Sequence, residues 1–386
     1  MEISKKIFKK KDSFLHFKNT GKKSWKVESE KILNFLNKSN YLNTLNDQEK
    51  DIILRIKKDL KLLDDSKDNL FLLKNNSIVE FNTYDNESDK IQYLIHRYRY
   101  DIFPSTKELY DYPPLVQIEP SSICNFRCVF CFETDKTFTN KKNGHMGTMQ
   151  LEVFKKIIDQ IHNKVQFITL ASRGEPLVSK DFNNMLKYTA GKFLNVKINT
   201  NASLLNEEKS HAILSSGVKT VVFSADAADE KLYSKLRVNG NLTKTLNNIK
   251  KFNEVKNKHY SKAKIITRVS GVKFSSDQNF EDMENFWGSL VDQVAFVDYN
   301  PWENNYEKEP NNITTACSDL WRRMFIWWDG KVNPCDVDYK SNLSVGNILN
   351  KNVKDLWLSK EYENLRNKHT QKKRSELTPC KSCSVV

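Results

Sequence analysis

Leu115-Val116-Gln117-Ile118-Glu119 runs through a short polar link into Cys124-Asn125-Phe126-Arg127-Cys128-Val129-Phe130-Cys131. The first five residues read as a β-strand, and the loop after them concentrates three cysteines. Three residues and then two separate the thiols, so one turn of backbone can aim all three sulfurs at a point. Soft thiolates grouped this way suit an iron–sulfur cluster or zinc. A tetrahedral zinc site needs a fourth ligand, and this loop offers none. A four-iron cluster held by three cysteines keeps one iron open to another ligand.

Outward from this loop the chain alternates. The strand candidates are Val116–Ile118, Val165–Leu170, Val196–Ile198, Thr220–Phe223, Ile265–Val269 and Val294–Val297. Helical spacing recurs between them, as in Leu151, Phe154, Ile158 and Ile161, or in His211, Ile213 and Leu214. Strands alternating with helices imply a parallel sheet with right-handed crossovers. A complete eight-fold barrel takes about 250 residues, more than the stretch from Leu115 to Tyr299 provides. The expected fold class is therefore α/β, a partial (β/α)6 TIM-like barrel over residues 114–305. An N-terminal α+β extension precedes it (1–113) and a small C-terminal iron–sulfur domain follows (306–386). In the extension, Ile32 to Leu63 reads as helical. Leu70–Leu73 and Ile78–Phe81 flank Lys74-Asn75-Asn76-Ser77, which reads as a hairpin turn.

The 386 residues carry 39% hydrophobic and 11% aromatic side chains, enough for a large packed interior. The net charge of +14 raises the question of a nucleic-acid partner. That excess divides as +4, +5 and +5 over residues 1–113, 114–316 and 317–386, so it forms no patch and argues against such a partner. No apolar run reaches the roughly 18–20 residues that span a bilayer. The opening Met1–Lys11 is too interrupted by charge for a signal-peptide core. A cytoplasmic location is expected, where clustered cysteines serve as metal ligands rather than disulfides.

The Cys-x3-Cys-x-aromatic-Cys loop after a first strand, with Phe130 as the aromatic, resembles that of the radical S-adenosylmethionine (SAM) enzymes. The resemblance implies that Cys124, Cys128 and Cys131 hold a four-iron cluster whose open iron chelates the amino and carboxylate groups of SAM. An electron then cleaves SAM, and the 5′-deoxyadenosyl radical abstracts a substrate hydrogen. A structural zinc loop remains the competing reading. In barrel enzymes the loops after the strands build the site. Ala171-Ser172-Arg173-Gly174-Glu175-Pro176 resembles the family's Gly-Gly-Glu-Pro motif, which implies SAM-ammonium contacts at Gly174 and Glu175. Arg173 replaces the first Gly and could act as a forked donor to a carboxylate. Asn199-Thr200-Asn201-Ala202-Ser203 is similar to the family's Thr-Asn-Gly loop, implying ribose contacts at Asn199 and Asn201. A helix-capping loop is the plain alternative. Ser224-Ala225-Asp226 resembles its Ser-x-Asp turn, and Arg237 matches an arginine suited to the SAM carboxylate, with a surface salt bridge as the alternative.

Cys317, Cys335, Cys380 and Cys383 remain. Asp329-Gly330 marks a hairpin turn between the first two, and four thiolates complete one site. By spacing alone structural zinc competes strongly. The order Cys317, Gly330, Cys335, then Gly346-Asn347-Ile348, Trp357 and Leu365-Arg366, looks like a shortened SPASM (twitch-type) domain. This implies one auxiliary four-iron cluster with every iron capped, so two 4Fe–4S clusters and SAM are the expected cofactors. With all seven cysteines assigned, none returns hydrogen to a substrate radical. The reading is therefore a radical SAM oxidoreductase that passes an electron to the auxiliary cluster. Asp336 and Asp338 are candidate bases, and Tyr339 is a candidate hydrogen donor. The expected partners are an electron donor such as flavodoxin or ferredoxin and a small polar or carbohydrate substrate. The alternatives are a ribosomal peptide substrate (cross-linked or epimerised) and a non-enzymatic, zinc-stapled interaction module.

Overall fold

The computed structural model describes residues 17–18, 25–62, 71–301 and 305–386. Met1–Lys11, Leu63 and Leu70, on which expectations were stated, lie outside the described residues. No helix among those described is long and apolar enough to cross a membrane.

The N-terminal part contains helices α1 (Trp25–Lys38), α2 (Asp47–Leu62), α3 (Asn75–Phe81) and α4 (Glu87–Asp101). The helical stretch expected from Ile32 is thus two helices. Asn46 and Glu49 start the second by accepting each other's backbone amide, a capping box. The hairpin expected around Lys74–Ser77 is not formed. Helix α3 starts there instead, because Ile78 and Phe81, three apart, share one buried helical face.

Six parallel strands follow: β1 (Leu115–Ile118), β2 (Phe167–Leu170), β3 (Asn195–Thr200), β4 (Thr220–Ser224), β5 (Ile266–Lys273) and β6 (Gln293–Asp298). They lie side by side in chain order. Crossover helices such as Leu151–Ile161 and Leu242–His259 cover the outside. Alternation along each strand sorts the side chains. Val116, Ile118, Ile168, Leu170, Val196 and Ile198 face the helices in one continuous core. Gln117, Thr169, Lys197, Asn199, Ser224 and Arg268 point into the barrel, where they line a cavity of about 740 Å³.

The sheet does not stop at six strands. β7 (Arg323–Ile326) pairs in parallel with β1, Arg323 opposite Leu115 and Ile326 opposite Ile118. The antiparallel β8 (Lys331–Asn333) follows it through the hairpin at Gly330, whose φ of 82° suits glycine. The C-terminal part is therefore hydrogen-bonded onto the barrel, and it pairs what would otherwise be an open β1 edge. At the other edge, Phe17–Lys18 pairs antiparallel with β6.

The N-terminal helices form a second core that joins the barrel at the beginnings of its strands, through Phe167 and Leu194. His96 stacks on Phe167 with centroids 3.5 Å apart. This unit closes the barrel at the end opposite the cysteine loop.

Candidate iron–sulfur and cofactor site

The loop after β1 is held by hydrogen bonds between Ser122 and Gly147 in both directions. Arg127–Cys128 forms a short antiparallel ribbon with Arg237–Val238, so Arg237 lies opposite Cys128 and its Nη1 stands 3.8 Å from that sulfur. Cys124, Cys128 and Cys131 share an apolar cluster with Phe126 and Phe130. Burial pushes the Cys124 thiol up to about 12 and raises Cys128 and Cys131 as well; nearby carboxylates add to this, while Arg237 opposes it at Cys128. Buried sulfurs gathered this way favour a soft cation in place of their protons.

The loop after β2 explains both of its unusual residues. Arg173 grips the fully buried Glu119 as a fork, with Nε and Nη2 at 2.7 and 2.6 Å from the two carboxylate oxygens. Its third nitrogen donates to the Tyr339 carbonyl at 2.8 Å, tying the barrel to the C-terminal part. At Gly174 a Cβ would meet the Ser122 backbone at 2.5 Å, so only glycine passes. Glu175 is buried, and burial raises its pKa. Its Oε1 accepts from Thr200 (2.6 Å) and from the Leu177 amide (3.1 Å), and its Oε2 accepts from the Asn201 amide (2.7 Å).

Asn199, Asn201, Ser224 and Arg237 all reach the same cavity wall as Gly174, Glu175 and Phe130. Asn199 Oδ1 and Ser172 Oγ are buried without a hydrogen-bond partner among the described residues, an arrangement that suits a polar ligand. The Asn201 side chain is already engaged, accepting from the Ser203 amide and donating to Asn125, as a capping loop would have it. Ala202 adopts φ 60°, the left-handed value that a glycine would take there more easily. Arg237 is no surface residue. It is buried and pairs with Asp226 at 2.5 Å.

At the C-terminal site, Cys317, Cys335, Cys380 and Cys383 line one small cavity together with Arg374. The buried Arg374 donates to the carbonyls of Cys380, Cys383, Thr315 and Val385, fixing the terminal loop around the sulfurs. Burial and mutual thiolate repulsion raise Cys335 and Cys380 far above the ordinary range, which again favours metal over protons.

Residues 118–286 match the family model of the radical SAM superfamily. The chain carries a radical SAM domain. Residues 317–384 match the SPASM model, described as an iron–sulfur cluster-binding domain. A radical SAM domain binds SAM and a 4Fe–4S cluster, and a SPASM domain binds further iron–sulfur clusters. The chain is 25% identical to a GTP 3′,8-cyclase of Campylobacter lari over 48% of its own length and 55% of the relative's. It is 27% identical to the mycofactocin maturase MftC of Mycobacterium ulcerans over 33% of each chain. The chain thus spans about a third to a half of these relatives' lengths. The solved structure of Streptococcus suis SuiB bound to its precursor peptide SuiA superposes with a TM-score of 0.54 at 18% identity, covering 92% of this chain and 86% of that one. At that identity the likeness establishes the fold.

Beside the radical SAM domain, Asp336 lines the barrel cavity. Asp338 and Tyr339 are not among its lining residues. Asp338 is fully buried, pushed up to about 7 by that burial, and accepts from Tyr306 and from the amides of Asn342 and Leu343. The Tyr339 hydroxyl donates to Asp135 at 2.8 Å. Both side chains, the sequence candidates for a base and a hydrogen donor, are engaged in these contacts. Sequence reasoning missed Glu119, Thr200, Lys197 and Arg268. The signal available was a charged or polar residue at an inward-facing position of an otherwise apolar strand.

Proposed function

We propose that the chain is a radical SAM oxidoreductase that modifies a peptide, removing two hydrogens from one of its residues. The supporting observation is the likeness to SuiB. It extends over 92% of this chain and so includes the N-terminal helices, and SuiB was solved with a precursor peptide in place. MftC, also among the relatives, is named a maturase. This moves the reading from the small polar substrate expected from sequence to the peptide alternative.

Cys124, Cys128 and Cys131 would hold the cluster that binds SAM, and Cys317, Cys335, Cys380 and Cys383 the auxiliary one. When bound, the first supplies the electron that splits SAM into methionine and a hydrogen-abstracting radical, and the second is an electron acceptor. Glu175, held by three donors, would offer its carboxylate to the SAM ammonium. Arg237, fixed in direction by Asp226, would offer a cation to the SAM carboxylate. Asp336 would take the proton that leaves the substrate, at a carboxylate oxygen. The substrate then loses one hydrogen atom, one proton and one electron.

The test is anaerobic turnover with peptides encoded beside the gene and, in parallel, with free sugars and polyols. A peptide product two mass units lighter, carrying no solvent deuterium at the reacting carbon, supports the reading. Turnover of a sugar alone would overturn the substrate class, and an unchanged mass with one deuterium would mean epimerisation.

A further inference from the structure

The floor of the barrel cavity carries a group of cations. Arg97, Lys197, Arg268, Arg322 and Arg323 line it, on the side of the N-terminal helices. Most have protein partners. Arg97 holds Asp101 with contacts of 2.6 and 2.8 Å, Arg322 holds Asp319 at 3.1 Å, and Arg323 donates to the Tyr100 hydroxyl. Arg268 donates twice to Gln293 Oε1, at 2.9 and 2.6 Å, with Glu80 at 3.9 Å.

Lys197 is different. Among the described residues no hydrogen bond or ion pair engages its ammonium, and its surroundings are set by Arg268, Arg323 and the more weakly felt Glu80. It sits on the inward face of β3, two residues before Asn199 on that face. The two side chains are therefore about 7 Å apart along the strand. A half-buried ammonium facing like charges is costly to keep. Methionine would satisfy the packing at lower cost. The space beside Lys197 is the one where a substrate would lie between the N-terminal helices and SAM.

We propose that Lys197 and Arg268, with Arg323 adding charge, form an oxyanion site that anchors the substrate below the reacting carbon. This rests on the reading that the substrate enters the barrel. With a peptide substrate, the anchored group is a carboxylate of an acidic residue. A small substrate would present phosphate to the same cations. The depressed affinity of Lys197 for its proton agrees, since burial and the two arginines push it down to about 7 and a bound anion would hold it up.

The experiment is calorimetric titration of the reconstituted full chain with acetate and, separately, inorganic phosphate at constant ionic strength. The parent, Lys197→Met, Lys197→Arg and Arg268→Gln are compared. Saturable binding to the parent should weaken roughly tenfold or more in Lys197→Met, the loss of a charged hydrogen bond. It should survive in Lys197→Arg and weaken in Arg268→Gln. Acetate binding more tightly than phosphate identifies the carboxylate, and the reverse identifies phosphate. Equal affinity in the parent and Lys197→Met, or no saturable binding of either anion to the parent, overturns the site. Substrate-free formation of 5′-deoxyadenosine, measured on the same samples, reports separately on the proposed function. A parent that binds anion but never cleaves SAM would refute the function while leaving the anion site standing.

Discussion

Replacing Gly174 by alanine adds one methyl group at the tightest point of the SAM loop. An ideal Cβ there stands 2.5 Å from the Ser122 carbonyl carbon and 2.6 Å from the carbonyl oxygens of Ser121 and Ile123. Ordinary contact begins at 3.4 Å, so the methyl is roughly 0.9 Å too close to the backbone of Ser121–Ile123. No flexible side chain can yield. Either the loop carrying Glu175 or the segment leading into Cys124 must move, and the bond from the Glu175 amide to the Ile123 carbonyl (3.0 Å) links the two. Overpacking of this kind costs about 1–3 kcal/mol. A displacement approaching 1 Å at a reacting centre lowers turnover by up to about 100-fold. The expected result is a drop of roughly 10–100-fold in 5′-deoxyadenosine formation, with the C-terminal iron retained. Gly191→Ala is the control. Its φ of +71° makes alanine slightly strained, but nothing lies within 4 Å, so cofactor cleavage should be unchanged. Gly174→Ala with parental SAM affinity and cleavage rate would refute the close-approach argument.

Three more measurements bear on the site. Anaerobic reconstitution should give about eight irons per chain, and replacing Cys124, Cys128 and Cys131 together by alanine should leave about half, read by iron analysis and paramagnetic resonance. Glu175→Gln keeps the size of the side chain but removes the charge proposed to face the SAM ammonium. SAM should bind about tenfold more weakly by equilibrium dialysis, and unchanged affinity would exclude the assigned contact. Lys197 has a proton affinity near pH 7 in the fold against an ordinary value of 10.5. The unfolded chain therefore binds a proton that the folded chain resists. That penalty is fully present below about pH 7 and vanishes as pH rises toward 10.5. Facing Lys197 are Arg268, Arg323 and Glu80. Lys197→Met should raise the melting temperature more at pH 7 than at pH 10, and an equal gain at both would argue against a strained ammonium.

The sequence by itself determined the cysteine loop, the six barrel strands and the order of their site loops. Each rests on local signals: ligand spacing, apolar runs of strand length and turn residues between them. It was less decisive where one short segment satisfied two patterns. Lys74–Phe81 could be read as a turn and strand, yet the same apolar residues fall on one face of α3 and pack into the N-terminal core. Only the tertiary structure decided the rest. The pairing of β7 with β1 joins residues more than 200 apart, and the Arg173–Glu119 fork and the Arg237–Asp226 pair each depend on where separate strands end. Chain proximity to Cys335 does not set direction, and only the fold shows that Asp338 meets Tyr306 and Tyr339 meets Asp135. Lys197 is an unexceptional residue in Asn195–Thr200 until the barrel closes. Closure sets it half-buried on the cavity wall and brings Arg268 and Arg323 from other strands, and these long-range effects give it a distinct chemistry.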